Sequence, residues 1–184
     1  NARLGSGDYL IAEADESDAS FLHLQPLMSV ITNIDKDHLD NHENSFDILK
    51  KNFLEFINNL PFYGLCLLNM NDINSRSIIN KISRPVKTFG IDVNADYVAT
   101  DINLDVMPAT YKYKEDGNEY EIKINMPGQH NIMNSLAALS ISRELDVPIK
   151  IIQKALFNFP GISRRFEIIG NFKVNKKEFL WIDD

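Results

Sequence analysis

Two acid-rich runs hold the side chains best suited to chemistry. Glu13-Ala14-Asp15-Glu16-Ser17-Asp18 follows the apolar residues 9–12, and Asp35-Lys36-Asp37-His38-Leu39-Asp40 follows the apolar residues 29–32. Carboxylates and an imidazole gathered at one place can hold a divalent cation. Mg²⁺ takes a few protein oxygens and completes its shell with water and substrate phosphates. Each acid taken singly is equally a solvated loop residue, a turn former or a cap. A lone histidine is more often a hydrogen-bonded structural residue than a ligand. The pairing of two acidic runs behind two apolar runs sharpens the site reading, because ligands of open parallel sheets bind beyond the carboxyl ends of the strands.

Two further groups are candidates. Asn131 and Asn134 are three apart, so they share a face at the start of a helix. Gly128, just before them, allows close backbone approach, and a helix N-terminus favours anions. His130 stands beside them. The alternative is that His130 or Asn131 only caps the helix. Arg164-Arg165 offers guanidinium groups suited to phosphoryl oxygens, although an arginine pair is also an ordinary surface feature.

These residues need a scaffold, and the apolar pattern supplies one. Residues 9–12, 29–32 and 65–68 are short continuous apolar runs, which read as strands buried on both faces of a parallel sheet. Phe46, Leu49, Phe53, Phe56 and Ile57 recur at helical spacing. Asn44-Ser45 is placed to cap that helix, and Leu60-Pro61 to end it. A shorter helix is expected over 75–82, then a strand over 86–89 stopped by Gly90. Residues 97–125 alternate apolar and polar around an Asp116-Gly117 turn signal, which predicts a small antiparallel meander. Helices follow at 130–145 and after Pro148, with strands near 166–172 and 178–182. The fold class is therefore α/β: a mostly parallel sheet flanked by helices, carrying a small antiparallel β meander.

Composition limits the partners. The 184 residues carry a net charge of −7, which argues against non-specific nucleic-acid binding. No apolar stretch approaches the roughly 20 residues needed to span a bilayer. The single cysteine, Cys66, excludes an internal disulfide and fits a reducing compartment. The chain opens without methionine and closes just after an apolar run, so it is expected to begin and end inside a longer protein.

EADESDASFLHLQP (13–26) and TNIDKDHLD (32–40) resemble segments of the Mur ligases, nearest to their alanine-adding branch. FLEFINNLPFYGL (53–65), GQHNIMNSLAAL (128–139) and FPGISRRFEIIG (159–170) continue the resemblance in the family's order. It covers essentially the whole chain and is weakest over 91–123. It implies a central domain of P-loop-like fold within a three-domain cytoplasmic enzyme of peptidoglycan synthesis, with ATP and Mg²⁺ as cofactors. The substrates implied are UDP-N-acetylmuramate and L-alanine, joined through an acyl phosphate.

Carried over position by position, the resemblance makes Glu13 and His38 metal-binding and catalytic residues. It places Asn131, Asn134 and, less directly, His130 near the nucleotide. Arg165 becomes a catalytic residue that reaches phosphate, and Asp184 a ribose contact at the junction with a third domain. The domain expectation is 1–163 for the ATP- and Mg²⁺-binding part and 164–184 for a hinge and the first strands of the next domain. Lys50 or Lys51 falls near a lysine that some relatives carbamylate, while a solvent-facing lysine is the default reading. The phosphate loop G-x-x-x-x-G-K-[ST] is not in this sequence, so the chain alone is not expected to catalyse ligation. Rival readings are a sister ligase that attaches a ready-made peptide to the same sugar in wall recycling, a metal-dependent phosphohydrolase, and a non-catalytic nucleotide-binding fragment. The oligomeric state is left open.

Overall fold

A computed structural model describes residues 4–17, 19–36, 42, 45–161, 167–174 and 177–183. Six strands form one sheet in the order β1-β2-β3-β4-β5-β6. They are β1 (Met28–Ile31), β2 (Leu65–Asn69), β3 (Val86–Ile91), β4 (Tyr97–Asn103), β5 (Ala109–Glu115) and β6 (Asn118–Ile124). The first four are mutually parallel, and β4, β5 and β6 pair antiparallel. The expected meander is therefore a continuation of the main sheet. Strands β7 (Glu167–Val174) and β8 (Lys177–Asp183) form a separate antiparallel ribbon.

Helices cover both faces. In β2, Cys66 and Leu68 belong to one buried cluster and Leu67 to the other, as strand alternation requires. The first cluster gathers Leu49, Phe53, Phe56 and Ile57 of α1 (Phe46–Asn58) and Ile78 of α2 (Ile73–Ile78). The second gathers Ile132, Leu136 and Leu139 of α3 (Gln129–Glu144) and Ile152 of α4 (Ile149–Phe157) against Phe89, Tyr111 and Ile122. Side chains of this size each contribute roughly 1.5–3 kcal/mol when fully buried. A run such as Leu65-Cys66-Leu67-Leu68 has no polar face because neither side of β2 meets water.

Local signals set the element ends. Ser45 caps α1, its Oγ accepting from the Ile48 amide at 3.5 Å. Asp116 and Gly117 both have positive φ (51° and 76°), the conformation of a two-residue type I′ turn, and Glu115 pairs with Asn118 across it.

Two expectations are corrected. Residues 9–12 form no strand, and Leu10 and Ile11 are 93% and 94% exposed. A strand needs a ladder partner and cover for its apolar faces; among the described residues, β1 pairs only with β2. Nor does Gly90 stop β3, which runs on to Ile91. A Cβ at Gly90 would lie 2.6 Å from Asn71 Oδ1. The missing side chain instead admits the Asn71 carboxamide, which accepts from the Ile91 amide at 2.7 Å and donates to the Ile91 carbonyl at 2.9 Å.

Candidate functional site

The candidate site lies where the parallel strands end. Strand β6 runs in the same direction as β1 to β4, since two antiparallel steps separate it from β4. Its exit, from which α3 begins, is therefore on the same rim of the sheet as the exits of β1 and β2. Topology alone thus places Asn131 and Asn134 on the rim that carries the loop after β1.

That loop is held by side chains from the β2 exit. Asn69 is buried and donates through Nδ2 to the Thr32 carbonyl at 2.6 Å. Asp72 caps α2, its Oδ2 accepting from the Ser75 amide at 2.6 Å and from the Ile34 amide at 3.3 Å. Asn74 donates to the Ile34 carbonyl at 2.8 Å. Both polar groups of the Ile34 backbone are thus satisfied, and its side chain is fully buried. The loop then turns outward: Asp35 and Lys36 are exposed, and the Asn33 Nδ2 donates to Asp35 Oδ2 at 2.5 Å.

Glu13 is exposed in a stretch without regular structure. Asp15 closes a local turn, accepting from the Ser17 amide at 2.8 Å, so part of the acidic run serves loop geometry. The stretch is tied down at Glu16, whose carbonyl accepts from His42 Nε2 at 2.8 Å. Beyond it, Phe21 is buried against Phe53 and Phe56 of α1, with ring centroids 5.4 and 5.3 Å away.

At α3 the helix is capped by Gly128 (φ 92°), and neither His130 nor Asn131 is the cap residue. Asn131 is half-buried and donates through Nδ2 to the Pro127 carbonyl at 2.6 Å. Asn134, one turn on, is exposed, as is His130. A Cβ at Gly128 would stand 2.8 Å from the His130 ring. Two amides and an imidazole are therefore presented around a turn that only glycine fits without strain.

The expected residues Asp18, Asp37, His38, Asp40, Arg164, Arg165 and Asp184 lie outside the described residues. In the ribbon, Glu167 pairs with Asp183. Among the described residues, no group of three or more His, Cys, Asp or Glu is placed to hold a metal ion. What Glu13 offers is an exposed carboxylate, a hard oxygen donor of the kind Mg²⁺ takes alongside water. The Lys50 Nζ lies 4.6 Å from the centre of the Phe46 ring.

Sequence reasoning overlooked Asn69, Asn71, Asp72, Asn74 and His42. The first four were open to it, because alternating Asn and Asp at a strand exit signal Asx turns and caps. His42 carries no such mark.

The sheet order, the helices on both faces and the polar rim define an α/β domain built on a mostly parallel sheet. Residues 3–142 match the model of the Mur ligase middle domain, and the chain belongs to that family. Over its whole length it is 45% identical to the UDP-N-acetylmuramate–L-alanine ligase of Hydrogenovibrio crunogenus, spanning 40% of that protein. It is 46% identical to the like-named protein of Neisseria meningitidis, spanning 41% of it. Among solved structures, the UDP-N-acetylmuramate-alanine ligase MurC of Thermotoga maritima superimposes with a TM-score of 0.74 at 28% identity, over 93% of this chain and 37% of that one. The chain thus spans about two fifths of the length of the curated relatives it matches. No helix among the described residues is long and apolar enough to cross a membrane.

Proposed function

We propose that this chain is the nucleotide-binding middle part of an enzyme that joins L-alanine to UDP-N-acetylmuramate at the expense of ATP. The observation that carries the reading is the 45–46% identity, sustained along the whole chain, to relatives named for that activity. A free carboxylate is a poor electrophile and needs a leaving group. In this reaction a carboxylate oxygen attacks the γ-phosphorus, ADP departs, and the amine of alanine adds to the acyl carbon. The tetrahedral intermediate collapses with loss of phosphate, giving the amide. Such phosphoryl transfer asks the protein for alignment and charge neutralisation more than for covalent help.

The site residues divide those tasks. Asn131, Asn134 and His130 contact the nucleotide, and Gly128 lets its backbone approach. Glu13 and His38 hold the divalent cation, which offsets phosphate charge when bound. Arg165 meets phosphoryl oxygens, and Asp184 the ribose. Residues 1–163 form the nucleotide-binding part and 164–184 begin the next domain, a division supported by the separation of the β7–β8 ribbon from the main sheet. The compartment is the cytoplasm, where ATP and the UDP-sugar are available.

The test uses the intact protein that contains this segment, with ATP, Mg²⁺ and UDP-N-acetylmuramate. ADP release that requires L-alanine supports the reading. Release that requires a ready-made peptide instead assigns the recycling activity. Phosphate release without any acceptor assigns a phosphohydrolase, and ATP binding without turnover a non-catalytic module.

A further inference from the structure

His42 stands outside the set of residues given a chemical task above, yet it is 1% exposed and three of its polar groups are engaged. Its carbonyl accepts from the Ser45 amide at 2.9 Å, which ties it to the entry of α1. Its Nδ1 lies 2.9 Å from Asn52 Nδ2, on α1. Its Nε2 lies 2.8 Å from the Glu16 carbonyl oxygen, in the first acidic run. A carbonyl can only accept, so Nε2 must carry a proton. The Asn52 amide then donates to the Nδ1 lone pair, and the ring is held as the neutral Nε2–H tautomer. One side chain thereby joins three places far apart in sequence: the run that begins at Glu13, the segment that follows the β1 exit, and the middle of α1.

The link is well placed to set distances. Glu16 is three residues beyond Glu13, and His42 four beyond His38. The next anchor of the acidic run is Phe21, packed on Phe53, which adjoins Asn52. Between the two anchors Ala19 adopts the left-handed conformation (φ 59°), so the chain turns sharply there. A polar group buried at this depth without its partner would cost free energy, so the two hydrogen bonds stand or fall together.

We propose that His42 is a positioning residue: acting through the Glu16 carbonyl and Asn52, it holds the acidic run against α1 so that Glu13 keeps a fixed place relative to the loop after β1. The consequence for cation binding rests on the ligase reading above; the structural link does not.

The experiment uses the intact protein with His42→Leu, His42→Gln and Asn52→Ala. Ring ¹⁵N correlation spectra of the wild type are expected to show the neutral Nε2–H tautomer. In His42→Leu, amide exchange over residues 13–17 is expected to rise at least about tenfold, as local opening becomes easier. Direct Mn²⁺ titration followed by electron paramagnetic resonance is expected to show affinity falling about tenfold, the usual cost of removing a group that orients a ligand-bearing segment. The KM for the amino acid stays unchanged. His42→Gln, whose amide can still donate to Glu16, recovers most of both losses. Should His42→Leu fail to fold, Asn52→Ala carries the test: its ring spectrum is expected to show mixed tautomers, with faster exchange at 13–17. An Nδ1–H tautomer in the wild type, or unchanged exchange and Mn²⁺ affinity in the folded variants, overturns the proposal. Wild-type protein without amino-acid-dependent ADP release would sink the ligase reading while leaving the exchange and tautomer results to judge His42.

Discussion

The two margins of the main sheet are built on different principles. At the β5–β6 margin, pairing is between neighbours in sequence. A two-residue turn joins the strands, and alternate residues Tyr111, Tyr113, Ile122 and Ile124 fill the core. At the β1 margin, the loops are held by side chains reaching backbone groups dozens of residues away: Asn69 to Thr32, Asp72 and Asn74 to Ile34, His42 to Glu16. The first margin gains its stability from apolar area and a favourable turn. The second gains position from a few directional bonds, each worth on the order of 1 kcal/mol net but costly to leave half-made. The acidic candidates belong to the second margin, where placing a loop matters more than stabilising it, whereas Asn131 and Asn134 follow the exit of β6 at the first.

The largest blow to this contrast falls on the first margin. Tyr111→Ala empties a fully buried position whose hydroxyl also meets Ser135 Oγ at 3.3 Å. It is expected to cost about 3–5 kcal/mol in denaturant unfolding. A loss below about 1 kcal/mol would mean that this margin is not the stability centre.

Cys66 tests the core beneath β1 and β2. Burial pushes its thiol up to about 11 from an ordinary value of 9.0. The folded pKa is raised, so the contribution is intact below about pH 9 and is lost as pH rises towards 11. Relative to Cys66→Ala, the wild type should lose roughly 2–3 kcal/mol of stability across that window, from two pKa units. Equal pH slopes in the two proteins, or ready alkylation of native Cys66 at pH 8, would contradict a sealed core.

Smaller effects separate the margins further. Asp72→Ala removes both the α2 cap and the Ile34 tether, at an expected cost of about 1–2 kcal/mol. The sharper readout is faster exchange of the Ile34 amide, and protection kept there would show that the tether is dispensable. Gly117→Ala meets no atom within 4 Å, so its cost is purely that of a positive φ, about 1 kcal/mol. An effect of several kcal/mol would mean the turn also packs. The smallest change is expected from Lys50→Arg, which leaves a cation over Phe46 and should alter ligase turnover in the intact protein less than about twofold. Arginine cannot be carbamylated, so a collapse of turnover would show that Lys50 acts in its modified form.

Much of the architecture could be read from the chain because its signals are local. The apolar spacing over 46–57 marks α1, Pro148 opens α4, and Asp116-Gly117 admits little but a tight hairpin. Membership of the ligase family was likewise legible, since five ordered motifs survive in one dimension. Residues 9–12 misled for the same reason: an apolar run states a preference for burial but does not supply the neighbour that buries it. Gly90 misled because the side chain needing its space belongs to Asn71, nineteen positions earlier.

What the sequence by itself determined is therefore the kind of elements, their order and the family, which follow from local patterns and from the order of motifs along the chain. Only the tertiary structure decided which face each strand residue turns to, that β6 exits on the same rim as β1, and that Asn69, Asp72, Asn74 and His42 hold the loops there. Those are hydrogen bonds between groups far apart along the chain, and a directional bond of that kind leaves no period in the sequence; it exists only once the apolar core has brought its two ends together.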